Sequence, residues 1–592
     1  MREDYEDIIK KHFDSYVESG SSKIMPLDAA VRRAVRPGMA LHTGVTHAFS
    51  YAAINELIRQ FWGKDPKFTL LALSGRIHGL NMVRGKMIRK IVATFNGDVY
   101  PSPAPNPIFQ RTYLDKSVEY EDWSVLTLPM RFKAAAMGLS CVTTRSIIGS
   151  GMAEANKDSF TVIDDPFEPG GKIGLLRALN PDLSFYHGAV ADEYGNTLFT
   201  PPYGENLWGA MAAREGVIIT VEKIVSTDFI RRHSHFAILP GCYVRSVSVA
   251  PFGAHPGGLH AHGVEGVESY AEDYDFVEVF RDVTRDDNKL DAWIRHWILD
   301  CKDHEDYTRR LGYDKIMFLK GKSHEDAWRC EIESKLGALD AGAECNPMER
   351  MVVMAARRIA EKVERNGYKT ILAGIGASNL AAWLAADALK RKGVEIELVA
   401  ELGFYGYSPR PADPFIFNHA NIPTCKLITD VFEALGVFAG GAENKCLGAL
   451  GAAQVDRFGN INSTKIPGKM YLTGSGGAND VLSSARDAVL VVPQGKNRFV
   501  EKVPYITGVG KRATTAVSTH GVFEKLNGED TFTLTAYFPT AERPTAEACV
   551  AEIAKNCGWE LRVADDLTAA PPPTVEELRL LRVFDPDRQF TE

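Results

Sequence analysis

Five segments of the chain combine residue types that could carry chemistry. Val399-Ala400-Glu401-Leu402-Gly403 is an apolar run that ends in a carboxylate and is closed by glycine. Ligands of open α/β sheets bind at the carboxyl ends of strands. Glu401 could therefore be a nucleophile or general base, with Gly403 allowing close backbone approach. A strand-end glutamate that faces solvent or caps a turn fits the same pattern. Thr473-Gly474-Ser475-Gly476-Gly477-Ala478-Asn479-Asp480 strings small residues together. Its backbone N–H groups could cradle an oxyanion or a phosphate, or the segment could be a turn before a helix. It lacks the Gly-Lys-Ser/Thr of a P-loop.

Gly374-Ile375-Gly376-Ala377-Ser378-Asn379 opens like a dinucleotide fingerprint, but Asn379 stands where the third glycine belongs. A tight strand-to-helix turn at the rim of a site is the better reading, and no nicotinamide is expected. His255, His260 and His262 crowd one loop, yet their spacing matches no helical i,i+4 pair or known ligand frame. That predicts a structural or substrate-lining loop and no metal. Phe167-Glu168-Pro169-Gly170-Gly171-Lys172 could approach a phosphate or form a plain turn. Lys390-Arg391-Lys392 reads as a solvated helix end. No Gly-x-Ser-x-Gly elbow occurs.

The elements that must position these residues show an internal match. Asp192-Glu193-Tyr194-Gly195-Asn196 and Asp456-Arg457-Phe458-Gly459-Asn460 share Asp-x-aromatic-Gly-Asn. Further on, Arg214-Glu215-Gly216 leads into Val217–Val221, and Arg486-Asp487-Ala488 leads into Val489–Val492, in the same order. Two ordered matches imply two halves of one fold, with a short insertion in the second. Each half opens with a strand, a glycine turn and a helix. In the first these are Met39–His42, Gly44 and Tyr51–Phe61; in the second, Thr370–Ala373, Gly374 to Gly376 and Leu380–Lys390. Phe68–Leu73 and Ile396–Ala400 follow as short apolar runs. This alternation predicts a mostly parallel α/β sheet in each half. Residues 270–340 are charged, rich in tryptophan and helix-patterned, and the boundary between halves falls at 340/341. After Pro571-Pro572-Pro573, Thr574 and Glu577 predict a capping box and one short docked helix.

The 592 residues allow roughly three to five compact units, or fewer large ones. Apolar residues at 45% and charged residues at 24% exclude global disorder. A net charge of −8, with no run of five or more like charges, argues against a nucleic-acid partner. Nine scattered cysteines without CxxC spacing favour a reducing compartment. The acidic N-terminal segment lacks an apolar signal region, and no long apolar stretch occurs, so no membrane association and a cytoplasmic location are expected.

In their order, these segments resemble the family I CoA-transferases, especially the glutaconate CoA-transferase-like branch. Val118–Ser124, Met130–Gly138, Thr144-Arg145-Ser146, Leu179–Asp182, Asp192–Asn196 and Pro251–Pro256 are similar to that family's A chain. Gly448–Asn462, Gly474–Asp480 and Val503–Thr507 are similar to its B chain. The resemblance spans roughly 28–560 and implies an A–B fusion: 1–340 A-like with its helical segment, 341–592 B-like. The fold class it implies is α/β, two homologous open, mostly parallel sheet domains in tandem with helical additions.

The resemblance further implies Glu401 as catalytic nucleophile, in a Glu-small-Gly motif from which Leu402 departs. It implies Gly474, Gly476, Gly477, Gly374 and Gly376 at the oxyanion and coenzyme A site, and Gly44, Arg145 and Gly403 at the acid pocket. The activity would move CoA from an acyl-CoA to a small carboxylic acid through a glutamyl-CoA thioester. Coenzyme A would be a substrate, without metal or nicotinamide, and the assembly a homo-oligomer. Two other readings stay open. One is a hydrolase or C–C ring-opening enzyme on a CoA thioester, with its acid among Glu119, Glu121 and Asp122. The other is a non-catalytic or isomerase-like binding protein.

Overall fold

The structure, a computed structural model, describes residues 2–14, 16, 18–44, 48–339, 342, 344–443 and 445–592. The expected boundary at 340/341 lies outside the described residues. Two large α/β sheets follow one another along the chain. The first contains β1 (Ala40–Thr43), β2 (Phe68–Ser74), β3 (Ile88–Phe95), β4 (Glu119–Asp122), β5 (Leu183–Ala191), β6 (Thr197–Phe199), β7 (Val217–Ile224), β8 (Ala237–Leu239) and β9 (Val244–Val249). The second contains β10 (Thr370–Ala373), β11 (Glu397–Ala400), β12 (Phe404–Tyr405), β13 (Leu427–Ile428), β14 (Cys446–Leu450), β15 (Asp487–Val491), β16 (Ala513–Val517), β17 (Gly521–Glu524), β18 (Thr533–Tyr537) and β19 (Val563–Ala569). Most of these strands are buried on both faces, which explains their continuous apolar runs rather than alternation.

The two halves share a core of five parallel strands. In the first, parallel pairing runs β2-β1-β5-β7-β9. In the second it runs β11-β10-β14-β15-β16. The second is the 2-1-3-4-5 order of a doubly wound sheet, and the first extends the matching core past β2 with parallel β3 and β4. Ligands of such sheets collect at the carboxyl edge near the switch point. The repeated Asp-x-aromatic-Gly-Asn motifs fold into one and the same turn. Asp192 Oδ1 accepts the N–H groups of Tyr194 and Asn196 at 3.0 and 2.8 Å. Asp456 Oδ1 accepts those of Phe458 and Asn460, both at 3.0 Å. Each asparagine Oδ1 then accepts a glycine N–H just before the next strand, Gly241 at 2.9 Å and Gly510 at 2.8 Å. The central glycines take positive φ, 91° and 75°, as such a turn requires.

The helices that matter to the site are α1 (Tyr51–Phe61), α2 (Pro347–Asn366), α3 (Ala377–Arg391), α4 (Ala478–Ser484) and α5 (Val575–Phe584). The expected capping box at α5 is present, with Thr574 Oγ1 on the Glu577 N–H at 3.2 Å and Glu577 Oε2 on the Thr574 N–H at 2.7 Å. α5 docks on the start of α2 through buried Arg582, which donates to both Glu349 oxygens at 2.7 and 3.1 Å. The charged segment folds into consecutive helices from Tyr274 to Leu336. It is anchored by Trp293 against Phe276 and Phe280, and by the paired bonds of Arg84 to Asp291 at 2.7 and 2.8 Å.

The carboxyl edges of the two sheets meet. Phe95 at the end of β3 pairs with Gly474, and Asn96 donates its N–H to Thr473 O at 2.6 Å. Asp122 at the end of β4 is buried, with Lys465 Nζ at 2.7 Å and Tyr471 OH at 2.6 Å. On the other flank Gly204 pairs with Asp430, and Tyr203 donates its N–H to Thr429 O at 3.0 Å.

Candidate active site

Glu401 is the first residue after β11, in the tight turn to antiparallel β12. Gly403 makes that turn. Its φ is 112°, its N–H donates to Ala400 O at 3.1 Å, and its carbonyl accepts the Thr429 N–H at 2.7 Å. A Cβ there would lie 2.1 Å from Thr429 O, so only glycine fits. Gly403 is thus a structural part of the turn that aims Glu401. Leu402 is half-buried and packs against both large apolar cores of the molecule, which accounts for a bulky residue beside the carboxylate.

Opposite Glu401 lies the glycine-rich segment. Gly477, the N-cap of α4, directs its N–H to the Glu401 carboxylate. Gly476 takes φ of 53° and donates its own N–H to Thr94 O at 3.0 Å, while its carbonyl accepts the Val125 N–H at 3.1 Å. Gly474, at φ 121°, sits against Thr94, where a Cβ would fall 2.4 Å from the carbonyl oxygen. Gly476 therefore bonds to the first half, Gly474 packs against it while its N–H donates to Ser463 O at 3.2 Å, and of the expected nest Gly477 is the member that reaches Glu401. The Gly476 N–H is committed to Thr94 and does not point at the carboxylate.

Burial, then the negative charge of Asp480, push the Glu401 carboxyl up to about 7, while the Gly477 N–H acts in the opposite direction. Asp480 is fully buried on α4. Its Oδ1 accepts Ser124 Oγ–H at 2.6 Å and its Oδ2 accepts the Leu126 N–H at 3.0 Å. Burial raises Asp480 to about 6 against these donors and Ser146. Sequence reasoning gives Asp480 no role. Its place in the first turn of a helix after three glycines is the available signal.

Gly374 and Gly376 lie after β10, at the switch point of the second sheet. Gly374 donates to Ala449 O at 2.9 Å. Gly376, at φ 113°, donates to Asn379 Oδ1 at 2.7 Å, and no atom lies within 4 Å of the place a Cβ would take. Asn379 at the third fingerprint position thus closes the start of α3 on itself. Gly44 follows β1, donates to Phe185 O at 3.0 Å, and has the Tyr186 ring 2.2 Å from a hypothetical Cβ. The next three residues lie outside those described. Arg145 is exposed, beside Arg512 and just before Ser146 and Ile147, which contact Asp480 and Asn479.

The other chemically suggestive segments are occupied by structure. His255 bonds Tyr307 OH at 2.5 Å and Asp273 at 3.1 Å in the core. Phe167 to Lys172 form an exposed hairpin turn. Of the three acidic candidates for a ring-opening enzyme, Asp122 is taken by Lys465 and Tyr471. Glu121 pairs with Lys90 at 2.7 Å and Arg131 at 3.1 Å, and Glu119 with Lys90 at 2.8 Å. A separate cavity of about 930 Å³ in the first half is lined by Glu222, Phe252, Tyr270 and His304, and includes none of the expected site residues. Among the described residues no cluster suited to a metal ion and no helix long and apolar enough to cross a membrane is found.

The duplicated sheet with a carboxylate aimed at a glycine-rich loop invites comparison with known proteins. The family model for coenzyme A transferase matches residues 24–250 and 444–557, over half of the chain. The chain belongs to the coenzyme A transferase family. It is 29% identical over 318 residues to the A chain of glutaconate CoA-transferase from Acidaminococcus fermentans, covering 50% of this chain and 95% of that protein. It is 29% identical over 256 residues to the B chain of 3-oxoadipate CoA-transferase from Pseudomonas knackmussii, covering 40% of this chain and 92% of that protein. A single polypeptide thus carries regions similar to both kinds of chain. An acyl-CoA transferase from Escherichia coli O157:H7, solved as a thioester complex with CoA, shares the fold over 96% of this chain and 98% of its own, with a TM-score of 0.61 at 14% identity. Glu401 lies between the two segments matched by the family model, so its role rests on the local geometry.

Proposed function

We propose that this chain moves coenzyme A between an acyl-CoA and a carboxylic acid, with Glu401 as nucleophile. The observation that carries this reading is the half-buried Glu401 carboxylate, held by the Gly477 N–H where the carboxyl edges of both sheets meet. A carboxylate in water is a poor nucleophile, whereas a desolvated one near a thioester can attack it, with thiolate as leaving group.

A Glu401 oxygen attacks the acyl carbonyl, the C–S bond breaks, and an acyl–glutamyl anhydride and CoA thiolate result. The thiolate attacks the glutamyl carbonyl. The first acid leaves as carboxylate, and a glutamyl-CoA thioester remains. The second acid's carboxylate attacks that thioester and expels thiolate, which then attacks the new acyl group and frees Glu401. Charge and atoms balance without a metal or redox partner. In the steps centred on the glutamyl carbon the developing oxyanion is a Glu401 oxygen, and the Gly477 N–H already points at that carboxyl. Gly474, Gly476, Gly374 and Gly376 shape the surrounding backbone. Gly44 and Arg145 remain our proposal for the acid pocket, with Arg145 able to pair a distal carboxylate.

The test is to incubate the protein with an acyl-CoA and no acceptor acid, reduce with borohydride, and measure the mass of the Glu401 peptide. A thioester on Glu401 is reduced to the alcohol, so the peptide loses one oxygen and gains two hydrogens. Release of CoA with an unchanged peptide would favour the hydrolytic reading instead.

A further inference from the structure

Within this reading, Asp480 is a buried carboxylate with no assigned part in the chemistry. On a helix, residues three apart share a face, with Cβ atoms about 5–6 Å apart. Gly477 opens α4, and a Cβ on it would lie 2.0 Å from Glu401 Oε2. Asp480 is three residues on, so its side chain stands one turn from that contact. It is fully buried, and both its oxygens are held by the first half, through Ser124 Oγ and the Leu126 N–H. Hydroxyl and amide donors hold this carboxylate in the interior, and among the described residues no cation pairs with it. The groups that act on Glu401 are Asp480 and the Gly477 N–H; its remaining surroundings include Leu402 and Leu435.

We propose that Asp480 is a positioning residue that works by charge. Pinned from the first half by Ser124 and Leu126, it keeps the Glu401 carboxylate in an unfavourable field that is relieved when Glu401 becomes a neutral anhydride or thioester. This rests on Glu401 being the nucleophile. The first half would then tune the second half's nucleophile across the junction. The same field raises the basicity of Glu401, and with it the nucleophilicity of the ionised form, while reducing the fraction ionised below neutral pH.

Two measurements decide it, and the first needs no substrate. Melting temperatures of wild type, Glu401→Gln, Asp480→Asn and the double variant form a cycle. Glu401 titrates near 7 and Asp480 near 6, so the ionised pair costs stability above those values and not below them. At about pH 8, Glu401→Gln should raise the melting temperature by about one to two degrees in the wild-type background, and by clearly less in the Asp480→Asn background. At about pH 5 the difference between backgrounds should vanish. Equal gains in both backgrounds at the higher pH would overturn the proposal.

The second measurement follows borohydride-trapped Glu401 peptide against pH, with glutaryl-CoA and acetyl-CoA as probes. In Asp480→Asn the midpoint should fall by about one pH unit and the plateau several-fold. An unmoved midpoint would count against the proposal whatever the plateau does. Ser124→Ala removes one donor from Asp480, favours its protonated form, and should move the midpoint the same way by less; it serves if Asp480→Asn fails to fold. If wild type traps no peptide with either probe, the transferase reading fails while the thermal cycle still decides the coupling.

Discussion

The Glu401 carboxylate occupies the space that a side chain on Gly477 would need, with Oε2 2.0 Å from the position of the missing Cβ. The two residues come from different turns of the second sheet and define one contact between the proposed nucleophile and its donor. Gly477→Ala should therefore push Glu401 aside without unfolding the protein, because its φ of −87° suits any residue. A displacement of about 1 Å at a reacting atom costs roughly a hundredfold in rate. We expect kcat for acyl transfer to fall by about that factor, with the melting temperature nearly unchanged. Steady-state kinetics and thermal melts on one preparation check both.

The pH dependence has a definite sign. As the proposed nucleophile Glu401 must be ionised to attack, and burial first, then Asp480, raise its carboxyl to about 7. kcat/KM for the acyl-CoA should climb with pH, reach half its plateau near that value, and drop about tenfold per unit below it. A rate profile flat from pH 5 upward would show that a residue of ordinary acidity is the nucleophile.

Asp122 and Lys465 form a buried pair across the junction at 2.7 Å, with Tyr471 on the other Asp122 oxygen. Removing one partner of such a pair leaves an uncompensated buried charge, at a cost of about 3–5 kcal/mol. Lys465→Met should destabilise strongly, and Asp122→Asn less, because the amide still accepts from Tyr471. Neither residue should be a nucleophile. The folded fraction of Asp122→Asn should keep its trapped Glu401 adduct, whereas loss of all turnover with an intact fold would support the ring-opening alternative.

Asn460 closes the repeated turn with four hydrogen bonds, three shared with Asp456 and one from Gly510. Asn460→Ala leaves the Gly510 N–H and one Asp456 oxygen short of partners and should cost about 1–3 kcal/mol. Its kcat should stay within a few-fold of wild type, since the turn lies outside the Glu401 contact. Asn196→Ala should behave alike in the first half. Chemical denaturation with parallel rate assays would show it.

What could be read in the sequence was local or repeated. Asp192 and Asp456 announce their turns because the bonds their carboxylates accept within Asp-x-aromatic-Gly-Asn span two to four residues, and Thr574 with Glu577 announces α5 for the same reason. Glu401 was legible as a carboxylate at a strand end followed by a glycine that no other residue could replace. The partners of the glycine-rich loop were not legible. Gly476 looks like a free donor in the sequence, yet its N–H bonds Thr94 on another sheet. Asp480 is held by Ser124, 356 residues away. No spacing rule connects such groups, because only the meeting of two separately folded sheet edges brings them together.

That meeting occurs inside one covalent chain. Glu401 and Gly477 come from one sheet, and Thr94, Ser124 and Leu126 that brace them from the other. Between separate chains such a junction would form only above some threshold concentration. Here the tether sets an effective concentration of the order of millimolar for each half around the other, however dilute the protein. The assembled site is in this sense insured against dilution, and each copy made carries its two halves in fixed equal amounts.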